Sequence, residues 1–146
     1  MLIYLDICTL KRPFDDQSIL RNFAETEAVL SVLAAEGAAV RILRSGALFL
    51  ENSLNKLPPR AAKIAAWLRK GEVYPVDETT LVQRTTELML LGFKNFDAIH
   101  VATAELGGVE MFGTCDDKLL GAGKRNASRL MLRVLGIIEL AAEIAK

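Results

Sequence analysis

Residues 1–6 read MLIYLD, a short apolar run that ends at an acidic residue. The run is too brief for a helix and polar residues follow it, so it predicts a buried β-strand over Met1–Leu5. Asp6 then lies just beyond the strand, where functional groups gather in open α/β sheets. Because the next residues, Ile7–Leu10, are too apolar for an ordinary solvated loop, Asp6 is the first candidate for a functional role.

Strand and helix patterns alternate along the rest of the chain. Further strands are predicted at 38–43, 109–113 and 130–134, with a short strand or turn at 73–76 and a loop at 11–16. Apolar periodicity, N-capping residues and terminating glycines predict helices at 18–37, 45–53, 58–71, 77–91, 95–107, 116–122 and 138–145. Ile64, Trp67 and Leu68 are expected to face the core. The connections between strands are too long for hairpins, so the sequence predicts an α/β fold with three α/β/α layers around a mostly parallel sheet.

Length and composition bound the class of protein. With 146 residues, 51% of them apolar, the chain is predicted to form one domain over 1–146. Its 18 basic and 18 acidic residues cancel, so the overall charge indicates no particular partner. Cys8 and Cys115 are too few for a disulfide framework and no signal sequence is evident, so a reducing, cytoplasmic location is expected. No apolar run approaches the roughly 18 residues of a membrane-spanning helix, so no membrane partner is expected.

Three other acidic residues are candidates. Asp116 follows a predicted strand, although an Asp in that place commonly caps a helix. Asp97 opens an otherwise apolar helix and shares a face with His100. The alternative is an acid favoured by the helix dipole, beside a partly buried histidine that donates to the backbone or to Asp97. Glu51 lies in an apolar helical segment, where by itself it marks the solvent-facing side.

Together, these acids indicate a metal site. Three or four converging carboxylates repel each other and lose hydration, and a divalent cation resolves that conflict. Ligands that are all oxygen favour Mg²⁺ or Mn²⁺ over zinc, and such ions assist phosphoryl chemistry by lowering the pKa of water and stabilising the attacked phosphate. Zinc is a minor alternative raised by Cys8, Cys115 and His100, whose spacing lacks a paired zinc-binding element; small buried thiols are the expected state of both cysteines.

Four short motifs occur in order along nearly the whole chain: Leu5-Asp6, Ser45 with Glu51, Asp97-Ala98 with Ala102 and Ala104, and Thr114-Cys115-Asp116. This series resembles the PIN-domain ribonucleases, which include the toxins of many bacterial and archaeal toxin-antitoxin pairs. That family has an Asp after the first strand, a Glu on a helix after a Ser, a D-A-x-x-x-A-x-A helix and a T-x-D motif. The segments 5–16, LDICTLKRPFDD, and 96–100, FDAIH, are similar to one subgroup with L-D-x-C-x-L-N-R-P-F-D-D and F-D-A-x-H.

The resemblance implies a PIN-like fold and a metal-dependent ribonuclease that hydrolyses RNA phosphodiester bonds with Mg²⁺ or Mn²⁺. It also implies an RNA substrate, a small antitoxin partner protein and a homodimer, and it makes Thr114 a helper at the site. Two positions depart from the pattern, since Ile7 stands where the family usually has Thr or Ser, and Lys11 replaces the subgroup's Asn. The residues that the resemblance assigns to catalysis and metal binding are Asp6, Glu51, Asp97 and Asp116.

Two groups of basic residues are candidates for binding the RNA backbone. Lys11 and Arg12 lie close to Asp6 in sequence, as phosphate-binding residues beside a metal would. The alternative for Arg12 is an ion pair with Asp15 or Asp16 that rigidifies the loop. A second basic run either faces RNA or forms a solvated edge; it comprises Lys124, Arg125 and Arg129.

Asp117 is a further candidate, as a substitute ligand for Asp116, and His100 is a candidate helper. The main rival hypothesis is a non-catalytic PIN-like module that binds RNA or a partner protein without cleaving. Two other enzyme classes are excluded by the first motif. A phosphate-accepting receiver domain needs an acidic pair after its first strand, and a haloacid-dehalogenase-like phosphatase needs D-x-D, whereas Cys8 occupies the second position. No Gly-rich phosphate loop is present.

Overall fold

Four parallel strands form the centre of the computed structural model, which describes residues 1–146. Their order across the sheet is β2-β1-β3-β4, and helices flank the sheet. The predicted three-layer α/β architecture is confirmed, and the sheet, predicted to be mostly parallel, is parallel throughout. The strands are β1 (Leu2–Leu5), β2 (Arg41–Ile42), β3 (Met111–Thr114) and β4 (Arg133–Gly136).

The seven predicted helices are present and begin and end within three residues of the predicted bounds, whereas a helix over Ile7–Lys11 was not predicted. Helix α5 packs against α6, and α2 packs against α8. No helix combines the length and the apolar character needed to cross a membrane. The helices are α1 (Ile7–Lys11), α2 (Leu20–Ala34), α3 (Gly46–Ser53), α4 (Pro58–Leu68), α5 (Glu78–Leu90), α6 (Asn95–Leu106), α7 (Asp117–Arg125) and α8 (Ile137–Ile144).

The register of the central strands decides where the acidic residues emerge. Leu5 pairs with Gly113, so β1 and β3 end side by side, and Asp6 and Asp116 leave the sheet at the same edge. Both strands are buried apart from Leu2, and Tyr4 and Phe112 are inaccessible to solvent. Parallel strands covered on both faces are expected to consist of almost continuous apolar residues, as they do here.

Capping explains several helix starts that the sequence predicted. The hydroxyl of Ser45 accepts from the backbone N–H of Leu48 at 3.1 Å and so begins α3. The carboxylate of Asp77 accepts from Thr80 N at 2.9 Å and begins α5. Pro58 occupies the first position of α4, where its missing N–H costs nothing.

The loop predicted at 11–16 is confirmed only for Asp15 and Asp16, which lie outside the helices and strands. Helix α1 occupies the start of this region and a 3₁₀ turn follows over Arg12–Phe14. The helix forms because Ile7 and Leu10 are buried in the core, while Asp6 caps its first turn. The next helix, α2, starts at Leu20 and not at Ser18, whose hydroxyl and N–H both donate to Asp16.

The bounds of three strands also differ from the prediction. The strand predicted at 130–134 lies at Arg133–Gly136, because a 3₁₀ turn at Ala127–Arg129 delays its start. The second strand keeps only Arg41–Ile42, and Val73 contributes an isolated bridge to Arg44. Strand β3 begins at Met111, and α7 continues beyond the predicted end at 122 as far as Arg125.

The three residues predicted to face the core all contact it, and Trp67 also contacts an ion pair. Ile64 and Leu68 are buried in the core as expected, but Trp67 is half-buried. The guanidinium of Arg44 lies 3.7 Å from the centre of the Trp67 ring. That guanidinium is also buried and paired with Glu36, so the tryptophan covers a buried ion pair at the edge of the core.

Candidate active site

Asp6 is held rigidly at the carboxyl edge of the sheet. Its Oδ1 accepts hydrogen bonds from the Thr9 backbone N–H at 3.0 Å and the Thr9 hydroxyl at 2.7 Å. Its Oδ2 accepts from the hydroxyl of Thr114, the last residue of β3, at 2.6 Å. Burial raises the pKa of the Asp6 carboxyl above its usual value, and the hydrogen bonds from Thr114 and Thr9 offset part of that rise. Thr114 thus contacts a predicted site acid directly.

A buried hydrogen-bonded chain positions Glu51. Its Oε1 lies 2.7 Å from Nε2 of His100, and Nδ1 of His100 lies 2.5 Å from the hydroxyl of Tyr4. That hydroxyl in turn lies 2.7 Å from Oγ of Ser45, the cap of α3. Burial raises the pKa of Tyr4, and the charges of Asp6 and Glu51 add to the rise against the Ser45 hydrogen bond. The phenol therefore keeps its proton and acts as a donor within the chain.

These hydrogen bonds exclude two alternative interpretations. The alternative in which His100 donates to Asp97 or the backbone is wrong, because Glu51 and Tyr4 occupy its two ring nitrogens. Glu51, which the helix pattern alone placed on the solvent side, is half-buried with 29% of its side chain exposed. Helices α3 and α6 pack together, and that contact brings Glu51 to the site.

Asp97 lies in the first turn of α6, half-buried among the other acids. Burial raises the pKa of its carboxyl to about 6, and the charges of Asp116, Asp6 and Glu51 add to that shift while His100 opposes it. The four predicted acids are therefore close enough for each to influence the charge of Asp97. The structure brings them to one edge of the sheet.

Asp116 caps α7, which was the alternative interpretation of this residue. Its Oδ1 accepts from the backbone N–H of Lys118 at 2.8 Å and of Leu119 at 3.3 Å, and so begins α7. Its own N–H donates to the Thr114 hydroxyl at 2.9 Å, so one threonine links Asp6 and Asp116. Asp116 also lines an open cavity of about 500 Å³ with Lys94, Asn95, Phe96 and Asp97.

The acids share this edge without closing around one point. No three His, Cys, Asp or Glu side chains are grouped closely enough to hold a metal ion. The chemistry of the donors nevertheless suits a hard cation, because the set consists of carboxylates whose mutual repulsion contributes to the raised pKa of Asp97. We refer to Asp6, Glu51, Asp97 and Asp116 below as the acidic cluster.

Two secondary candidates are committed to ion pairs. Asp117, the candidate substitute ligand, accepts two hydrogen bonds from Arg21 at 2.7 and 2.9 Å. Arg12 donates to Asp15 at 2.9 Å and lies 3.2 Å from Glu25. The alternative interpretation of Arg12, as a brace for its own loop, is therefore confirmed for Asp15, with Glu25 as an additional partner.

The remaining basic and cysteine candidates lie in different environments. Lys11 ends α1 and is half-buried, and Lys124 pairs with Glu139 at 3.1 Å on the surface. Cys115 is buried as expected, and burial raises the pKa of its thiol to about 11. The expectation that both thiols are buried is wrong for Cys8, which is exposed.

Tyr4 and Ser45 are site residues that the sequence pattern did not single out for chemistry. A tyrosine inside an otherwise apolar buried strand is a usable signal, since its hydroxyl requires a hydrogen-bond partner. Ser45 entered the sequence analysis as part of the motif with Glu51, and its oxygen contacts both the Leu48 N–H and the Tyr4 hydroxyl. A second feature that was missed is a cavity of about 440 Å³ next to Asp97, where Lys94, Lys118 and Arg125 meet.

Comparison with known proteins supports the fold alone. No family model matches the chain, and no curated protein matches it. Among solved structures, it is similar to the crystal structure of PAE2754 from Pyrobaculum aerophilum, with 16% sequence identity and a TM-score of 0.50. The alignment covers 99% of this chain and 98% of that one, so the likeness extends over the whole architecture.

Proposed function

We propose that this protein is a PIN-type, metal-dependent endoribonuclease that hydrolyses RNA phosphodiester bonds. The observation that carries the proposal is the acidic cluster, in which burial and the charges of Asp116, Asp6 and Glu51 raise the pKa of Asp97 to about 6. Carboxylates that oppose each other's ionisation at one sheet edge are common at functional sites. They are stabilised in the ionised form when a divalent cation joins them.

The members of the acidic cluster are the residues that would hold Mg²⁺ or Mn²⁺. Such an ion, when bound, lowers the pKa of water and stabilises the charge on the attacked phosphate. The protein's own contribution is to orient the ligands. Thr9 and Thr114 fix both oxygens of Asp6, and His100, backed by Tyr4, fixes one oxygen of Glu51. Outer hydrogen-bond partners of this kind set the affinity of metal sites.

A toxin role in the cytoplasm, opposed by a small antitoxin protein, and a homodimeric state belong to the same proposal. They follow from the sequence resemblance, and exposed apolar side chains are compatible with a protein partner. Leu20 and Phe23 of α2 are 80% and 50% exposed, and Leu90 of α5 is 84% exposed. Large exposed apolar residues that form a contiguous patch commonly mark a site where another protein binds.

The decisive experiment incubates the purified protein with a panel of single-stranded and structured RNAs and with Mn²⁺ or Mg²⁺. Cleavage is expected with either metal, is abolished by EDTA, and is lost in Asp6→Asn and Asp97→Asn. The matched control is Asp16→Asn, because Asp16 is exposed, outside the acidic cluster, and an asparagine oxygen can still accept from Ser18. Calorimetry with Mn²⁺ on the same proteins separates loss of metal binding from loss of cleavage.

The second candidate function is a non-catalytic PIN-like module that binds RNA or a protein. Two observations favour it: the acids are not grouped as closely as metal ligands, and Ile7 is buried and brings no hydroxyl to the site. Intact RNA across the whole panel, together with no heat of metal binding, would establish this function in place of the nuclease.

A further inference from the structure

The cavity beside the acidic cluster is lined by three basic side chains. It measures about 440 Å³ and shares Lys94 and Asp97 with the cavity that Asp116 lines. Two more cations, Lys118 and Arg125, lie on its wall, and all three basic side chains are exposed. We call this space the basic cavity.

The cations of the basic cavity have no carboxylate partners within the protein. None of the three takes part in an ion pair. The second acid on the wall, Asp117, is already matched by two hydrogen bonds from Arg21. Apart from Asp97 at the shared boundary, the cavity therefore presents positive charge that is free to meet an anion.

The spacing of the cations suits an extended anion. Lys118 and Arg125 are both on α7 and seven residues apart, so they share a face and are separated by about 10 Å along the helix axis. Lys94 precedes α6, whose N-terminal end adds a partial positive charge. A polymer with repeated phosphates can meet cations that are spaced along a helix in this way.

We infer that the basic cavity binds the sugar-phosphate backbone of RNA next to the bond positioned at the acidic cluster. The inference rests on the proposed function in taking RNA as the ligand. Contacts to phosphates fix the position and orientation of a strand without reading its sequence. The basic cavity would thus hold the strand while the acids act on the neighbouring phosphodiester.

Phe96 favours an unpaired strand over a duplex. It lines the cavity that contains Asp97 and Asp116, and its ring stacks at 6.2 Å and 26° on His100. Aromatic rings in such positions stack on unpaired bases, and single-stranded regions are the usual targets of this recognition. An aromatic ring that lines the same cavity as Asp97 and Lys94 suits a strand in which bases and phosphates alternate.

The test measures RNA binding without catalysis. A short, fluorescein-labelled single-stranded RNA that forms no base pairs is titrated with protein in EDTA, and fluorescence anisotropy is read at several salt concentrations. The triple variant Lys94→Ala, Lys118→Ala, Arg125→Ala is expected to bind at least about tenfold more weakly than the parent protein. A plot of the logarithm of the binding constant against the logarithm of the salt concentration is expected to become less steep by about 2, since each phosphate contact on a single strand contributes about 0.7 to this slope.

Two control proteins separate local contacts from overall charge and from misfolding. Arg41→Ala, Arg69→Ala, Lys70→Ala removes the same charge from exposed residues that line neither cavity, and it should retain nearly all binding. The double variant Lys118→Arg, Arg125→Lys keeps the charges on α7 and should bind like the parent. Equal loss in both triple variants, or no loss in either, overturns the inference, as does a parent protein that does not bind the RNA.

The outcome is independent of the nuclease assay. If Mn²⁺-dependent cleavage occurs but the basic-cavity variant binds RNA normally, the proposed function stands and the inference fails. If no cleavage occurs but binding depends on the three cations, the inference stands and the non-catalytic module is the function.

Discussion

Nε2 of His100 lies 2.7 Å from Oε1 of Glu51, and this contact joins α6 to α3 across 49 positions of sequence. The histidine is buried, and its second nitrogen contacts Tyr4, so the ring cannot turn away without breaking a hydrogen bond. Glu51 is thus placed by the core and not by its own helix alone. This makes His100 and Tyr4 positioning residues for the acidic cluster.

Removing the Tyr4 hydroxyl tests that role. Tyr4→Phe leaves His100 and Ser45 without a shared partner and is expected to lower Mn²⁺ affinity and cleavage by roughly 10-fold or more. The matched control is Tyr74→Phe, whose hydroxyl donates to the carbonyl of Leu106 at 2.8 Å, outside the acidic cluster. Both variants should lose about 1 kcal/mol of unfolding free energy. Calorimetry should detect weaker metal binding in Tyr4→Phe alone, and equal metal affinity in the two variants would contradict the role.

The Thr114 hydroxyl is expected to stabilise Asp6 in its ionised form. Thr114→Val keeps the shape but removes the donor to Asp6 and the acceptor for Asp116 N–H, at an expected cost of about 1–3 kcal/mol in urea unfolding. Because that hydrogen bond lowers the pKa of Asp6, the pH at which cleavage reaches half its maximum should move upwards in the variant. Thr103→Val is the control, since Thr103 is buried and donates only to the carbonyl of Ile99. An unchanged pH profile in Thr114→Val would show that the Thr114 hydroxyl does not stabilise ionised Asp6.

The raised pKa of Asp97 predicts a stability that depends on pH. Between about pH 4 and pH 6 the folded protein holds a proton at Asp97 that the unfolded chain releases, so the unfolding free energy falls as the pH rises through that window. Asp97→Asn should remove the fall and exceed the parent in stability at pH 7 by about 1 kcal/mol, a value reduced for the partial exposure of the group. Urea titrations in EDTA at several pH values measure the difference between the two proteins.

For a second aspartate, Asp16, the unfolding free energy is expected to change with pH in the opposite direction. The hydrogen bonds from Ser18 lower the pKa of Asp16, so its contribution to stability is present above its ordinary pKa and is lost on acidification. Asp16→Asn should therefore not gain stability at neutral pH. If Asp97→Asn runs parallel to the parent protein at every pH, the carboxyl is not perturbed in the way described.

The packing of α8 on the sheet depends on Gly113. A Cβ at this position would lie 2.5 Å from Cδ2 of Leu140 and 3.1 Å from Cδ2 of Leu5. Gly113→Ala is therefore expected to destabilise the protein by about 1–3 kcal/mol in thermal or urea unfolding. Gly46→Ala, at the first position of α3 with nothing within 4 Å of the new Cβ, should be neutral or slightly stabilising. Equal stability of the two variants would refute the packing argument.

Local rules predicted most of the fold. Capping by Ser45 and Asp77 and the strand-end position of Asp6 depend on residues close in sequence, and the structure agrees with each. Where a boundary depended on distant partners, prediction failed. The start of β4 at Arg133 is set by pairing with Met111, and no local pattern carries that register.

In the candidate site, too, local features could be predicted and contacts between distant residues could not. The positions of Asp6, Asp116 and Asp97 could be predicted from the sequence. Parallel strands end at one edge of the sheet, which locates Asp6 and Asp116, and the start of a helix locates Asp97. The contacts that orient the acids could not be predicted. The Glu51–His100 pair and the Thr114–Asp6 hydrogen bond both join residues distant in sequence, and only the packing of the elements decides them.

The position of β1 between β2 and β3 has a consequence for the timing of folding during synthesis. Thr114 lies 108 residues after Asp6, so β1 leaves the ribosome long before the strand that completes its pairing. Contacts between such distant segments form late, because a long loop must close first. The nascent chain therefore carries Asp6 and Glu51 until β3 is synthesised, without the strand edge that unites them with Asp116. The acidic cluster becomes complete only after β3 and Asp116 have been synthesised.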